Sequence, residues 1–411
     1  MAIRISGMNS GLDTESIVSA LVSGYQTKVD KQKKAQTKLS WKTEAWQGVN
    51  KKVYSLYSNI NKLRFTSAYA LKKTTVSDNT KATVTASGNA VNGTQTLKIK
   101  DLAKAGYLTG GTMSLAEGAT AEKLDGSATL KDLGYDLEEG GKITVNGQEI
   151  SVSGSTTIDN FVNQLNEKGV SASFDANNGR IFVSAKDSGE KNDFSIGASD
   201  GQGLVALSKL GLLTDESIKT SYANISGVSE KNIDTESQEY QDFVDAMQES
   251  KNGDASRVKG QNATIELNGA TFTSATNNFT VNGLTINATA TTGNNEITIT
   301  TATDVDGIYD KVKDFLSEYN EVVNYMQSQY NAASAKGYEP LTDDEKSAMT
   351  DTQVEKWEQK IKTSLLRRDQ NLNTILNSMS NAMAKSYDIN GKKFSLGTFG
   401  ISTPGYFSAA E

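Results

Sequence analysis

The chain has 411 residues, of which 36% are hydrophobic and 7% aromatic, proportions that suit roughly two to four small or elongated domains better than one thick-cored enzyme. It contains neither cysteine nor histidine, which excludes disulfides, thiolate metal sites, cysteine nucleophiles and every histidine-based acid/base or metal arrangement. With 42 Lys+Arg against 49 Asp+Glu the net charge is -7, which argues against general nucleic-acid binding.

The first segment, SGMNSGLDTESIVSALV (Ser6 to Val22), reads as a helix start: Asp13, Thr14 or Ser16 is placed to cap it, and Leu12, Ile17, Val18, Leu21 and Val22 are apolar. Nothing in the next twenty residues offers these side chains a core. Neither a basic region followed by an apolar stretch at the N-terminus nor any apolar run near the ~20 residues of a membrane span is present, so if the protein leaves the cell it is expected to do so without a cleavable signal.

The strongest periodicity follows. Trp46, Val49, Val53, Leu56, Ile60 and Leu63 step by 3, 4, 3, 4, 3, the seam of a heptad helix. Extending the register backward reaches Leu39, Ala35, Tyr25, Leu21 and Val18, but also Lys42, Gln32 and Lys28, so the phase persists while the apolar content fails. Residues 1 to 40 are therefore expected to be disordered or to form a protruding helix held only by a neighbour, because such a segment alone is marginal in water.

The middle of the chain alternates at period 2. GKITVNGQEISVSG, ATIELNGATFT and FTVNGLTINATAT read as hairpins closed by Asn146-Gly147, Asn268-Gly269 and Asn282-Gly283, with one amphipathic helix, TIDNFVNQLNEKGV, among them. Residues 221 to 259 are polar and charged and read as a surface excursion with one helix at YQDFVDAMQE. A second heptad helix carries Ile308, Val312, Phe315, Tyr319, Val322 and Met326. Two capping boxes, Thr342 with Glu345 and Thr350 with Gln353, precede a third helix expected to run unbroken through Val354, Trp357, Ile361, Leu365, Leu372, Ile375 and Met379.

A bundle of these three helices would bury all three apolar stripes. The fold expected is α+β and multidomain: an antiparallel helical bundle or coiled coil built from both chain ends, carrying two β-rich head domains. The boundaries read as 1–42 for an N-terminal leg, 43–75 plus 304–411 for the bundle, 76–104 plus 255–303 for one β domain and 105–254 for the other. No phosphate loop, dinucleotide fingerprint or calcium loop is recognisable. The acidic clusters LTDDE and DLEEGG read as a helix start and a turn, and the lysines from Lys28 to Lys38, without interleaved aromatics, as a solvated helix face.

Several stretches together resemble a known family: SGLDTESIVSALV, GVNKKVYSLYSNINKLRF, LAKAG, PLTDDEKSAMTDTQVEKWEQKIKTSLLRRD and FSLGTFGIST, in that order along nearly the whole chain. They are similar to the bacterial filament-capping, or hook-associated protein 2, family, and Gly140 to Ala185 is similar to the strand-helix-strand insert of flagellins and hook-associated proteins. The resemblance implies export through the flagellar type III apparatus and a ring of identical subunits at the distal, extracellular tip of the filament. It implies flagellin, hook-filament junction proteins and an export chaperone as partners, and no enzyme activity, cofactor, metal, nucleic acid or membrane span. Other flagellar axial proteins and a surface adhesin are the alternative readings. Assembly contacts are expected from Leu12, Ile17, Val18, Leu21, Val22 and Tyr25, with the stripe from Trp46 to Leu63 serving as core inside the chain. The family usually continues past the equivalent of GISTPGYF with a helix that pairs with the N-terminal one. This chain stops at Glu411, as a truncated or short form, so that partner helix is expected to lie outside it.

Overall fold

The structure, a computed structural model, describes residues 14–136 and 139–402. Leu12 lies outside the described residues. The chain divides into two units, one formed by the residues up to Tyr69 together with those from Val305 onward, the other by Ala70–Asp304.

The first unit opens with helix α1 (Thr14–Leu63). At 1.5 Å per residue its 50 residues span about 75 Å. It contains no proline, and Gly24 and Gly48 are its only glycines. Gly48 sits where a side chain would approach the Tyr325 hydroxyl at 3.1 Å, so its absence lets a second helix come close.

The second unit holds two β assemblies. In one, strands 72–76, 297–303, 93–101, 263–267 and 270–274 form an antiparallel sheet in that order, and 278–281, 284–288 and 82–86 form another. Period-2 alternation places Leu97, Ile99, Ile265, Leu284, Ile286 and Ile299 in the core these sheets share. The other assembly spans residues 105–258. Its sheets run 256–258, 105–109, 180–188, 170–175 and 148–152, 141–145, 196–198, covered by α2 (Ile158–Glu167), α3 (Gly201–Lys209), α4 (Asp215–Ser226) and α5 (Gln238–Met247). Its core includes Tyr135, Ile143, Phe161, Leu165, Ile181 and Leu207.

The Asn-Gly turns are two-residue hairpin loops, with Asn146, Asn268 and Asn282 at φ 52°, 51° and 48°. Residues 221 to 259 form the expected helix as α5 and hold no buried side chain beyond Ala223, but both ends of the segment are tied into the fold. Ser217 and Ser221 on α4 are buried, and their hydroxyls are satisfied by backbone carbonyls of Leu212, Thr214 and Ser217. Tyr222 meets Tyr240 and Phe243 of α5 edge-on, and strand 256–258 pairs with 105–109. Buried serines bonded to nearby carbonyls carry no apolar signature, so the anchor at Ser221 is not legible in the sequence.

The stretch from 112 to 130 has little regular structure yet is anchored by a buried carboxylate. Asp132 accepts from the backbone and hydroxyl of Thr129, from those of Thr120 and from the Ala121 N–H, bonds that hold its pKa well below the ordinary carboxylate range. After α3, Gly211 turns at φ +74°, and a Cβ there would stand 2.5 Å from the Gly111 carbonyl oxygen. Gly211→Ala is expected to cost about 1–3 kcal/mol in urea unfolding, from strain and forced displacement together.

The first unit resumes with α6 (Val305–Tyr330), α7 (Asp343–Ser347), α8 (Asp351–Ser364) and α9 (Gln370–Ala384), then the hairpin Tyr387–Ile389 with Lys392–Phe394. Both capping boxes form, Thr342 with Glu345 and Thr350 with Gln353. The helix expected to run unbroken from Val354 to Met379 is two helices. Arg368 takes a left-handed backbone at φ 51°, and Asp369 caps α9 by accepting from the N–H groups of Asn371 and Leu372. The apolar spacing bridged a turn that Asp369, a strong capping residue, announced.

Candidate assembly surface

The packed seam of the helical unit is short. Val49 and Leu56 of α1, Val322 and Met326 of α6, and Leu366, Leu372 and Leu376 are buried together, with Trp46, Val53, Phe315 and Tyr319 partly buried against them. The ion pair Lys52–Glu321 at 2.6 Å, hydrogen bonds from Ser55 and Asn59 to Glu318, and Lys311 donating to the Ala68 carbonyl show α1 and α6 running antiparallel. Ile60 is 42% exposed, and Leu63, Ile308 and Val312 are half-buried outside this cluster. In an antiparallel pair the end of α1 and the start of α6 lie at one end, and there the packed cluster has run out.

Trp357 is half-buried rather than central: its indole N–H donates to the Glu339 carbonyl at 2.9 Å, and its ring packs against Tyr338. Trp41 is half-buried under the Lys362 ammonium, 4.6 Å from the ring centre.

Toward its N-terminal end α1 has no cover among the described residues. Ile17, Val18, Leu21, Val22, Tyr25 and Val29 are between 48% and 69% exposed. At 100° per residue these six fall within an arc of about 140°, a broad apolar stripe of the kind a helix normally buries. Leu39, also exposed, falls in the same arc. The stripe is a drifting continuation of the seam, so one helix packs at its far half and presents the same side to solvent at its near half.

Two ion pairs tie the middle of α1 to the later helices. Lys34 meets Glu345 at 2.7 Å, and this contact together with the Thr342 N–H keeps the Glu345 carboxyl below its usual range. Burial pushes the Asp369 carboxyl up, but Lys42 at 3.1 Å and the Leu372 and Asn371 N–H groups outweigh it and leave it depressed. A depressed carboxylate stabilises the fold above its unfolded value, roughly 4, and that contribution disappears as pH falls through the lower folded value. The helical unit is therefore expected to lose thermal stability from pH 5 downward. Lys34→Met is expected to flatten the slope, by no more than about 1 kcal/mol for so exposed a pair, as read from melting temperature against pH.

Among the described residues no group of acidic side chains is arranged to hold a metal ion, and no helix is long and apolar enough to cross a membrane. What the fold displays is an uncovered apolar helix, joined in the same chain to β domains with closed cores: the class is an α+β multidomain assembly component. Comparison with known proteins gives the family. The N-terminal profile of flagellar hook-associated protein 2 matches residues 10–106 and its C-terminal profile residues 260–407. The chain belongs to the flagellar hook-associated protein 2 family, a family of structural flagellar components rather than of enzymes.

Flagellar hook-associated protein 2 of Halalkalibacterium halodurans is 25% identical over 98% of this chain and 73% of its own length. The A-type flagellar hook-associated protein 2 of Pseudomonas aeruginosa is 27% identical over 78% of this chain and 62% of its own. The fold is similar to the D1-D2-D3 domains of the flagellar cap protein FliD from Escherichia coli, with a TM-score of 0.52 at 19% identity, covering 89% of this chain and 83% of that one. These matches do not favour a hook-filament junction protein, a flagellin or an adhesin.

Proposed function

We propose that the chain caps the tip of the bacterial flagellar filament, closing the export channel while flagellin folds and inserts beneath it. The observation that carries the reading is the uncovered stripe on α1, in a family of flagellar cap components. The work is mechanical and needs no catalytic group. Copies form a ring, the leg (1–42) makes the contacts to neighbours and to filament subunits, and the bundle, which runs to Tyr69 rather than to residue 75 because 72–76 is a strand of the β unit, and resumes at Val305, holds the leg through its Trp46 to Leu56 and Phe315 to Met326 seam. The β domains (76–104 plus 255–303, and 105–254) supply the plate. Each contact must be weak enough for the ring to step as subunits are added. The chain leaves the cell through the flagellar export apparatus with a dedicated chaperone, and meets the hook-filament junction proteins before the first flagellin arrives.

The test is complementation of a strain whose own capping gene is deleted. The full-length gene is expected to restore filaments and swimming, and secreted monomeric flagellin is expected to fall. Continued loss of filaments while flagellin is made and exported normally would overturn the capping role.

A further inference from the structure

A groove of about 600 Å3 in the helical unit is lined by Lys38 and Lys42 of α1, Lys336 and Tyr338 of the loop after α6, and Leu365 and Arg367 beyond α8. The Arg367 guanidinium has no hydrogen-bond or ion-pair partner among the described residues, although its Nε is shut off from solvent. A guanidinium nitrogen removed from water without an acceptor costs free energy, and an anion paired with the half-buried side chain would offset that cost. Lys38 and Lys336 also have no ion pair among the described residues, while Lys42 is taken by Asp369.

The backbone fixes this cation. Leu366, immediately before it in the chain, is fully buried, and Arg368, immediately after, is held left-handed by donating its N–H to the Tyr330 carbonyl. Strain of that kind persists where the surroundings over-determine a position. Beside the cations lie Ala35, Leu39, Ile361 and Leu365, and Leu39 is 66% exposed. Free phosphate or sulfate would use the positive charge and leave this apolar wall wet.

We propose that the groove binds an acidic amphipathic helix of a partner polypeptide, one of whose carboxylates pairs with Arg367 while its apolar side chains cover Leu39 and Leu365. Lys38 and Lys336 flank the carboxylate and set the sign of the partner's charge. This binding is separate from the capping role and rests on the geometry of the groove alone.

The test follows the Arg367 Nε–H resonance in 15N-labelled full chain, assigned by its loss in Arg367→Lys. Three probes are titrated at constant ionic strength: sulfate, glutarate, and a blocked 18-residue Leu/Glu peptide with heptad spacing, the last compared with its Gln-for-Glu counterpart. Saturable shifts with glutarate and with the acidic peptide are expected, with the peptide at least about tenfold tighter than glutarate or its neutral counterpart. The exposed double variant Lys38→Glu/Lys336→Glu, which leaves Arg367 and the core untouched, is expected to weaken the peptide by at least about tenfold. No saturable shift with either carboxylate probe, sulfate as tight as the peptide, or an unchanged affinity in the double variant would each overturn the proposal. Complementation by the same double variant reads the capping role separately.

Discussion

Phe161→Ala is expected to unfold the 105–258 assembly at markedly lower urea while leaving the helical unit's transition where it was. Phe161 is fully buried on the inner face of α2, among the largest side chains of that core, and truncating such a ring costs about 3–5 kcal/mol in lost transfer energy and residual cavity. With a urea dependence of about 2–3 kcal/mol per molar, the midpoint should fall by about 1–2 M. The probes separate themselves, because Trp41, Trp46 and Trp357, the chain's three tryptophans, all lie in the helical unit. Tryptophan fluorescence should therefore hold its midpoint while circular dichroism gains an earlier step. Met326→Ala, fully buried in the helical seam, should do the reverse and move the tryptophan transition, at a cost of about 2–5 kcal/mol. A shift of both signals together in either variant would mean that the cores unfold as one.

The elements that the sequence disclosed are those in which local chemistry and packing agree. Asn-Gly between alternating strands predicts a two-residue turn because asparagine and glycine both accept positive φ, and Asn146, Asn268 and Asn282 adopt it. Thr342 and Thr350, each three residues before a side chain that reaches back, mark two helix starts. Periodicity alone overruns the packed elements. The stripe from Val354 to Met379 reads through a turn that Arg368 and Asp369 create, and Ile60 keeps the heptad phase after its packing partners have ended. Buried serines and the Asp132 network were invisible because their satisfaction depends on backbone groups brought together only by the fold. The groove around Arg367 was missed for the same reason: its cations come from separate stretches of chain, and no spacing rule links Lys38 to Lys336 or Arg367.

The leg carries the largest functional consequence. Its near half makes a regular helix without a core of its own, and an isolated segment of that length would be marginal in water. Helix cooperativity accounts for this: with the half packed around Val49 and Leu56 already helical, each further turn toward Ile17 costs only the fixing of its own residues. Packing thus holds the helix from one end while its exposed apolar face stays free for a partner. Ile17→Gln, Leu21→Gln and Tyr25→Gln, combined, should leave the melting transitions within about 0.5 kcal/mol of the original, since glutamine is a good helix former and these side chains touch no core. Assembly should fail instead. Burying three such side chains at an interface is worth about 1.5–3 kcal/mol each, so their loss should weaken association by roughly a thousandfold or more. Sedimentation of the purified protein and filament restoration in the deletion strain read this directly, with Ser23→Gln, exposed on the opposite face of the same helix, as the control. A triple variant that still restores filaments of normal length would remove the leg stripe from the assembly contacts and shift attention to the exposed Tyr54, Tyr57 and Tyr309 on the bundle.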